Sequence, residues 1–193
     1  DLVHAAVVKD PADITGEAKR LDALFRAKAQ AEIAAAEAVA GDNGSVRGQG
    51  DELADVLLVK GEPGPGDLDA GRALAGADGE AAGKALDALG VASERFAFCT
   101  RSADLPEATR LERTRLMVEA VDPRIVVALD PLAAEDILNA YGCEAVPPGT
   151  LAYVQGRAFV ALEGLEASLS DEALKRRVWR QLKVLGPLGQ AGQ

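Results

Sequence analysis

Three carboxylates, Glu62, Asp67 and Asp69, fall within eight residues of a loop built from Gly61, Pro63, Gly64, Pro65 and Gly66. Glycine puts no Cβ between the backbone and a ligand, so such a loop can bring N–H donors and acids to one place. The loop follows Val56–Val59, an unbroken apolar run that reads as a strand buried on both faces. Acids at the C-terminal end of such a strand lie where open α/β sheets hold their ligands. Neither GK[ST] nor a helix-opening GxGxxG is present, which argues against a nucleotide phosphate cradle.

Other reactive residues form no familiar set. Ser102 and Ser168 have no histidine partner, because the one histidine is His4, far from both. Cys99 and Cys143 share no ligand spacing, and HExxH, CxxC and EF-hand patterns are missing, so no metal or other cofactor is expected. Both thiols read as buried and free. Lys175, Arg176, Arg177 and Arg180 form a basic face on a last helix, either a contact for DNA phosphates or a solvated surface. Trp179 beside it reads as a core or rim anchor. Arg101, Arg110, Arg113 and Arg115 make a second basic patch, interleaved with Glu107, Glu112 and Glu119 as in helical salt bridging.

Elements to position these residues are legible. An Ala-rich helical segment spans about 14–41, where Gly41-Asp42-Asn43-Gly44 stops it. Strands are expected at 56–59, 95–99, 124–129, 151–154 and 158–162, and helices at about 78–89, 106–121, from Pro131, and after Ser170 as cap. Asp130-Pro131 is a helix start, with Asp as N-cap and Pro at the first helical position. Residues 1–13 read as a ragged lead-in and about 186–193 as a disordered tail. Strands alternating with helices imply a mostly parallel sheet with helices on both faces, in a single domain over 1–193. The net charge of −10 disfavours a nucleic-acid binder without excluding a local basic patch. No apolar run nears the ~18 residues of a membrane span, and no signal-peptide pattern opens the chain, so a cytoplasmic location is expected.

Four segments together resemble the uracil-DNA glycosylase superfamily, closest to its iron–sulfur branch, family 4. GEPGPGDLDAG with Arg72–Gly79 is similar to that branch's GEAPG and GRPFVGxAG motifs; RFAFCTRS stands where it has TNVVKC. Asp122–Gly142 resembles a later family segment, and Glu163–Lys183 its HPS-containing end, so the likeness covers roughly residues 46–185. It implies a three-layer α/β/α sandwich around a mostly parallel four-stranded sheet. It places a base pocket at Gly61, Pro63, Gly64, Leu74, Thr100 and Glu163, and a water-activating role on Glu62 and Asp69.

Departures from the pattern are coordinated. Leu74 replaces the stacking Phe, Thr100 the base-reading Asn, and Glu163 or Gly164 the HPS histidine; the four cluster cysteines have no counterparts. Losing a donor aimed at developing negative charge costs about 3 kcal/mol of transition-state stabilisation, and a hydroxyl cannot replace the paired donor and acceptor of an amide. The expectation is a catalytically impaired member of the superfamily, a pseudoenzyme of DNA repair or metabolism that binds DNA or a protein. One alternative is an active base glycosylase of altered lesion specificity that uses Glu62 and Asp69. Another is a non-enzymatic protein-interaction module.

Overall fold

The computed structural model describes residues 11–41, 46–91 and 94–190, with only the backbone of 11, 12 and 190. His4, most of the glycine stop after α1 and the last three residues lie outside the described residues.

Helix α1, Pro11–Ala38, leads into a two-residue strand β1, Gln49–Gly50, and the buried strand β2, Val56–Lys60. Then come α2 (Pro65–Ala70), α3 (Ala77–Ala88), β3 (Arg95–Cys99), α4 (Glu107–Val121), β4 (Ile125–Ala128) and α5 (Pro131–Ala140). A hairpin of β5 (Ala152–Val154) and β6 (Arg157–Ala161) precedes α6 (Leu165–Ser168), α7 (Glu172–Leu182) and α8 (Gly186–Gln190).

The sheet has six strands in the order β1-β3-β2-β4-β6-β5. The expected four-stranded sheet is therefore too small. Its four inner strands pair in parallel, and β1 and β5 extend it by antiparallel edges. The β5–β6 turn uses Gln155 and Gly156, both at positive φ, as a two-residue hairpin requires. At β1, Gly50 has φ +132 and lies against the Arg95 carbonyl with no room for a Cβ. Such an edge is invisible to hydrophobic periodicity.

Alternation along the inner strands divides the core. Val56 and Leu58 face α3, α6 and α7 through Leu86, Leu165, Val178 and Leu182. Leu57 and Val59 face α1, α4 and α5 through Ala36, Met117, Val121 and Ile137. Arg113 on α4 is fully buried, not part of a surface patch; it donates to the Cys99 carbonyl at 3.0 Å and to Glu37 of α1 at 2.8 Å. Asp171, not Ser170, caps α7, accepting from the Ala173 and Leu174 amides. Gly186–Gln190, expected within a disordered tail, form α8 behind the buried Leu185. Cys99 is buried, whereas Cys143 is only half-buried.

Candidate functional site

Because the inner strands are parallel, their C-terminal ends share one edge of the sheet. The segments after β2, β3, β4 and β6 meet there. Gly61 N–H donates to Asp130 Oδ2 at 2.9 Å, while the other oxygen of Asp130 caps α5 through Ala133 N–H at 2.8 Å. Thr100 N–H donates to the Lys60 carbonyl and Arg101 N–H to that of Gly61, each at 2.9 Å. Leu165 N–H reaches the Leu129 carbonyl at 2.8 Å.

At the end of β2 stands Lys60, a lysine only 4% exposed. Its Nζ lies 2.7 Å from Asp67 Oδ2, 2.7 Å from Asp78 Oδ2 and 2.8 Å from Glu166 Oε2. These acids come from α2, the first turn of α3, and α6, so one ammonium ties three helices to the sheet. Burial pulls the Lys60 pKa down, but bonds to Asp67, Asp78 and Glu166 outweigh it and hold the ammonium charged well above its usual range. Burial likewise pushes Asp67 up, and Lys60 with the Gly64 and Ala75 N–H groups pulls it below the ordinary carboxylate range.

A second buried acid, Asp136 of α5, is 1% exposed. It accepts from Thr100 Oγ1 at 2.6 Å, Arg101 Nε at 2.9 Å and Arg110 Nε at 3.2 Å. Burial raises its pKa, and Arg101 and Thr100 lower it more, so Asp136 stays ionised. Beside the Asp136 cluster opens a depression of about 480 Å³, lined by Glu62, Pro63, Arg101, Asp104 and Arg110.

Among the expected pocket residues, the structure brings Glu62 and Pro63 to this depression; Leu74, Thr100 and Glu163 are not in its lining. Gly61 and Gly64 are buried beneath the loop, where a Cβ would meet Leu132 and Asp130 at Gly61, or Glu166 and Lys60 at Gly64. Thr100 is fully buried, with its hydroxyl committed to Asp136. Leu74 packs in the core near Gly79 with φ +53, a conformation costly for a residue with a Cβ. Glu163 accepts from Arg177 at 2.9 Å and Gln181 at 2.8 Å, which hold its carboxyl below the usual range. Asp69 is exposed on α2. Lys175, Arg176, Arg177 and Arg180 are exposed along α7, with Arg177 paired to Glu163.

Lys60, Asp78, Asp136 and Glu166 escaped the sequence reading. Lys60 had a signal: a lysine directly continuing a fully apolar run needs buried acids if the strand continues through it. The acids themselves look like ordinary helix residues. Among the described residues no group of histidine, cysteine and acidic side chains could hold a metal ion, and no helix is long and apolar enough to cross a membrane.

No known family model matches this chain, and no functionally curated protein matches its sequence significantly.

Proposed function

We propose that this chain is a divergent uracil-DNA glycosylase-like protein that does not excise uracil and acts by binding. The four segments carrying the resemblance include or adjoin the ends of β2, β3, β4 and β6, which supports a common sheet edge for them. The bond from Thr100 to Asp136 carries the impaired-enzyme reading. The residue standing for the base-reading amide has no exposed surface, and its hydroxyl donates to a buried carboxylate. Leu74, standing for the stacking aromatic, is also buried, packed in the core rather than lining the depression beside Glu62. No histidine lies among the described residues to stabilise a departing uracil oxygen.

The test is uracil release from single- and double-stranded oligonucleotides, compared with a Glu62→Ala control. No release above that control is expected; release that depends on Glu62 overturns the reading. The depression with Glu62 at its lip favours a second reading, an active glycosylase for another base. A panel of deaminated, oxidised and alkylated bases decides it, since Glu62-dependent cleavage of any lesion establishes that activity and uniform inertness removes it. Salt separates the binding partners. DNA affinity falls steeply as salt rises and drops with Arg176→Glu and Arg180→Glu; a protein-binding module leaves the oligonucleotide unbound even at low salt.

A further inference from the structure

The depression beside Asp136 holds charged groups of both signs whose bonding is incomplete. Asp136 fixes two arginines at once. It accepts from Arg101 Nε at 2.9 Å and Nη2 at 3.1 Å, and from Arg110 Nε at 3.2 Å. Arg101 Nη2 also reaches Glu135 at 3.1 Å. Arg101 Nη1 and both terminal nitrogens of Arg110 have no partner among the described residues. Both side chains line the depression and are partly exposed, so these donors are held in place without being used up. Two terminal nitrogens of one guanidinium form the fork that grips a carboxylate.

Two acids share the same lining. Glu62 and Asp104 are exposed, and neither has a hydrogen bond or ion pair among the described residues. Glu62 is kept near the arginines by the bond from Arg101 N–H to the Gly61 carbonyl at 2.9 Å. An anion alone would stand beside two unpaired carboxylates, and a cation alone beside two guanidiniums. Each is opposed by half of the lining. A ligand that carries both charges close together is opposed by neither. Pro63, Ala103 and Leu105 complete the lining with apolar surface. The volume of about 480 Å³ lies within the range of small-molecule sites, and the loops after β2 and β3 put it at the edge where parallel sheets hold ligands.

We propose that this depression binds a free α-amino acid with an apolar side chain. Its carboxylate sits on the terminal nitrogens of Arg110 and Arg101, its ammonium faces Glu62 and Asp104, and its side chain covers Pro63, Ala103 and Leu105. Asp136 is a positioning residue that holds the two guanidiniums. This site goes beyond the binding function proposed above and does not depend on it.

Calorimetric titration of the full chain tests this with three probes of one shape. L-Leucine carries both charges, isocaproate lacks the ammonium and isoamylamine lacks the carboxylate. Leucine is expected to bind more than about tenfold more tightly than either. Glycine, with no side chain to cover the apolar wall, binds more weakly than leucine. The double variant Glu62→Gln with Asp104→Asn loses leucine affinity and gains isocaproate affinity, so the gap between the two closes. Arg110→Lys keeps the charge but not the fork, and weakens leucine about tenfold with unchanged circular dichroism. The wild-type comparison needs no variant to fold. Isocaproate binding as tightly as leucine reveals a plain anion site and overturns the proposal. So does the failure of leucine to bind at millimolar concentration, or a gap between leucine and isocaproate that the double variant leaves unchanged.

Discussion

Lys60 Nζ and Asp78 Oδ2 are 2.7 Å apart, so the last residue of β2 is ion-paired to the first turn of α3 inside the protein. Asp67 shares the same ammonium from α2. Removing the lysine alone strands two buried carboxylates. Lys60→Met is expected to cost about 3–5 kcal/mol, read as a drop in the urea midpoint. Adding Asp67→Asn and Asp78→Asn removes the stranded charges, so the triple variant recovers part of that loss. A single variant as stable as wild type would contradict the buried cluster.

Stability is expected to fall at both pH extremes. Asp67 and Asp136 are held below the ordinary 3.8 in the folded state. Their contribution is complete above that value and disappears as pH falls through the depressed folded values. Lys60 is held above the ordinary 10.5, so its contribution is complete below that value and is lost as pH rises past it. Urea unfolding as a function of pH checks both limbs. Asp136→Asn should flatten the acid limb, whereas Glu163 and Asp171, paired at the solvent boundary, should barely affect it.

Thr100→Val keeps the shape of the side chain and deletes its hydroxyl. Asp136 then loses its 2.6 Å donor while keeping Arg101 and Arg110. The expected cost is about 1–3 kcal/mol, measured by thermal or urea unfolding. Glu62→Ala, on the exposed loop, should stay within about 0.5 kcal/mol of wild type. Equal effects from the two would undo the assignment of Thr100 to structure.

Two glycine-to-alanine changes within helices should have opposite signs. Alanine is favoured over glycine in a helix by about 1 kcal/mol. Gly16 on α1 has nothing within 4 Å of a new Cβ, so Gly16→Ala gains most of that preference. At Gly79 the Cβ collides with the Leu74 carbonyl, a backbone atom that cannot rotate away, so Gly79→Ala is expected to destabilise. Circular dichroism melts of both variants give the comparison directly.

Inner strands were readable because each carries an unbroken apolar run, Val56–Val59, Phe96–Cys99, Ile125–Ala128 and Ala158–Ala161, as burial on both faces demands. The Asp130-Pro131 start of α5 was readable because capping depends on adjacent residues. The edges were harder: β1 is two residues long, and its place beside β3 depends on Gly50 passing close to a neighbouring backbone. Helix α2 hid within a glycine- and proline-rich stretch that reads as loop, although Pro65 at its first position and Asp67 accepting from Gly64 N–H are start signals.

By itself the sequence determined the local structure: which runs are buried, where most helices begin, and that carboxylates crowd the turn after β2. It also determined that histidine and paired cysteines are missing from every motif. Only the tertiary structure decided what each acid and base does. Asp67 and Asp78 face a buried lysine and Thr100 an aspartate 36 positions away, while Glu62 remains in solvent. Partners so far apart along the chain are chosen by how strands and helices pack, and that packing sums many contacts that no short stretch of residues encodes.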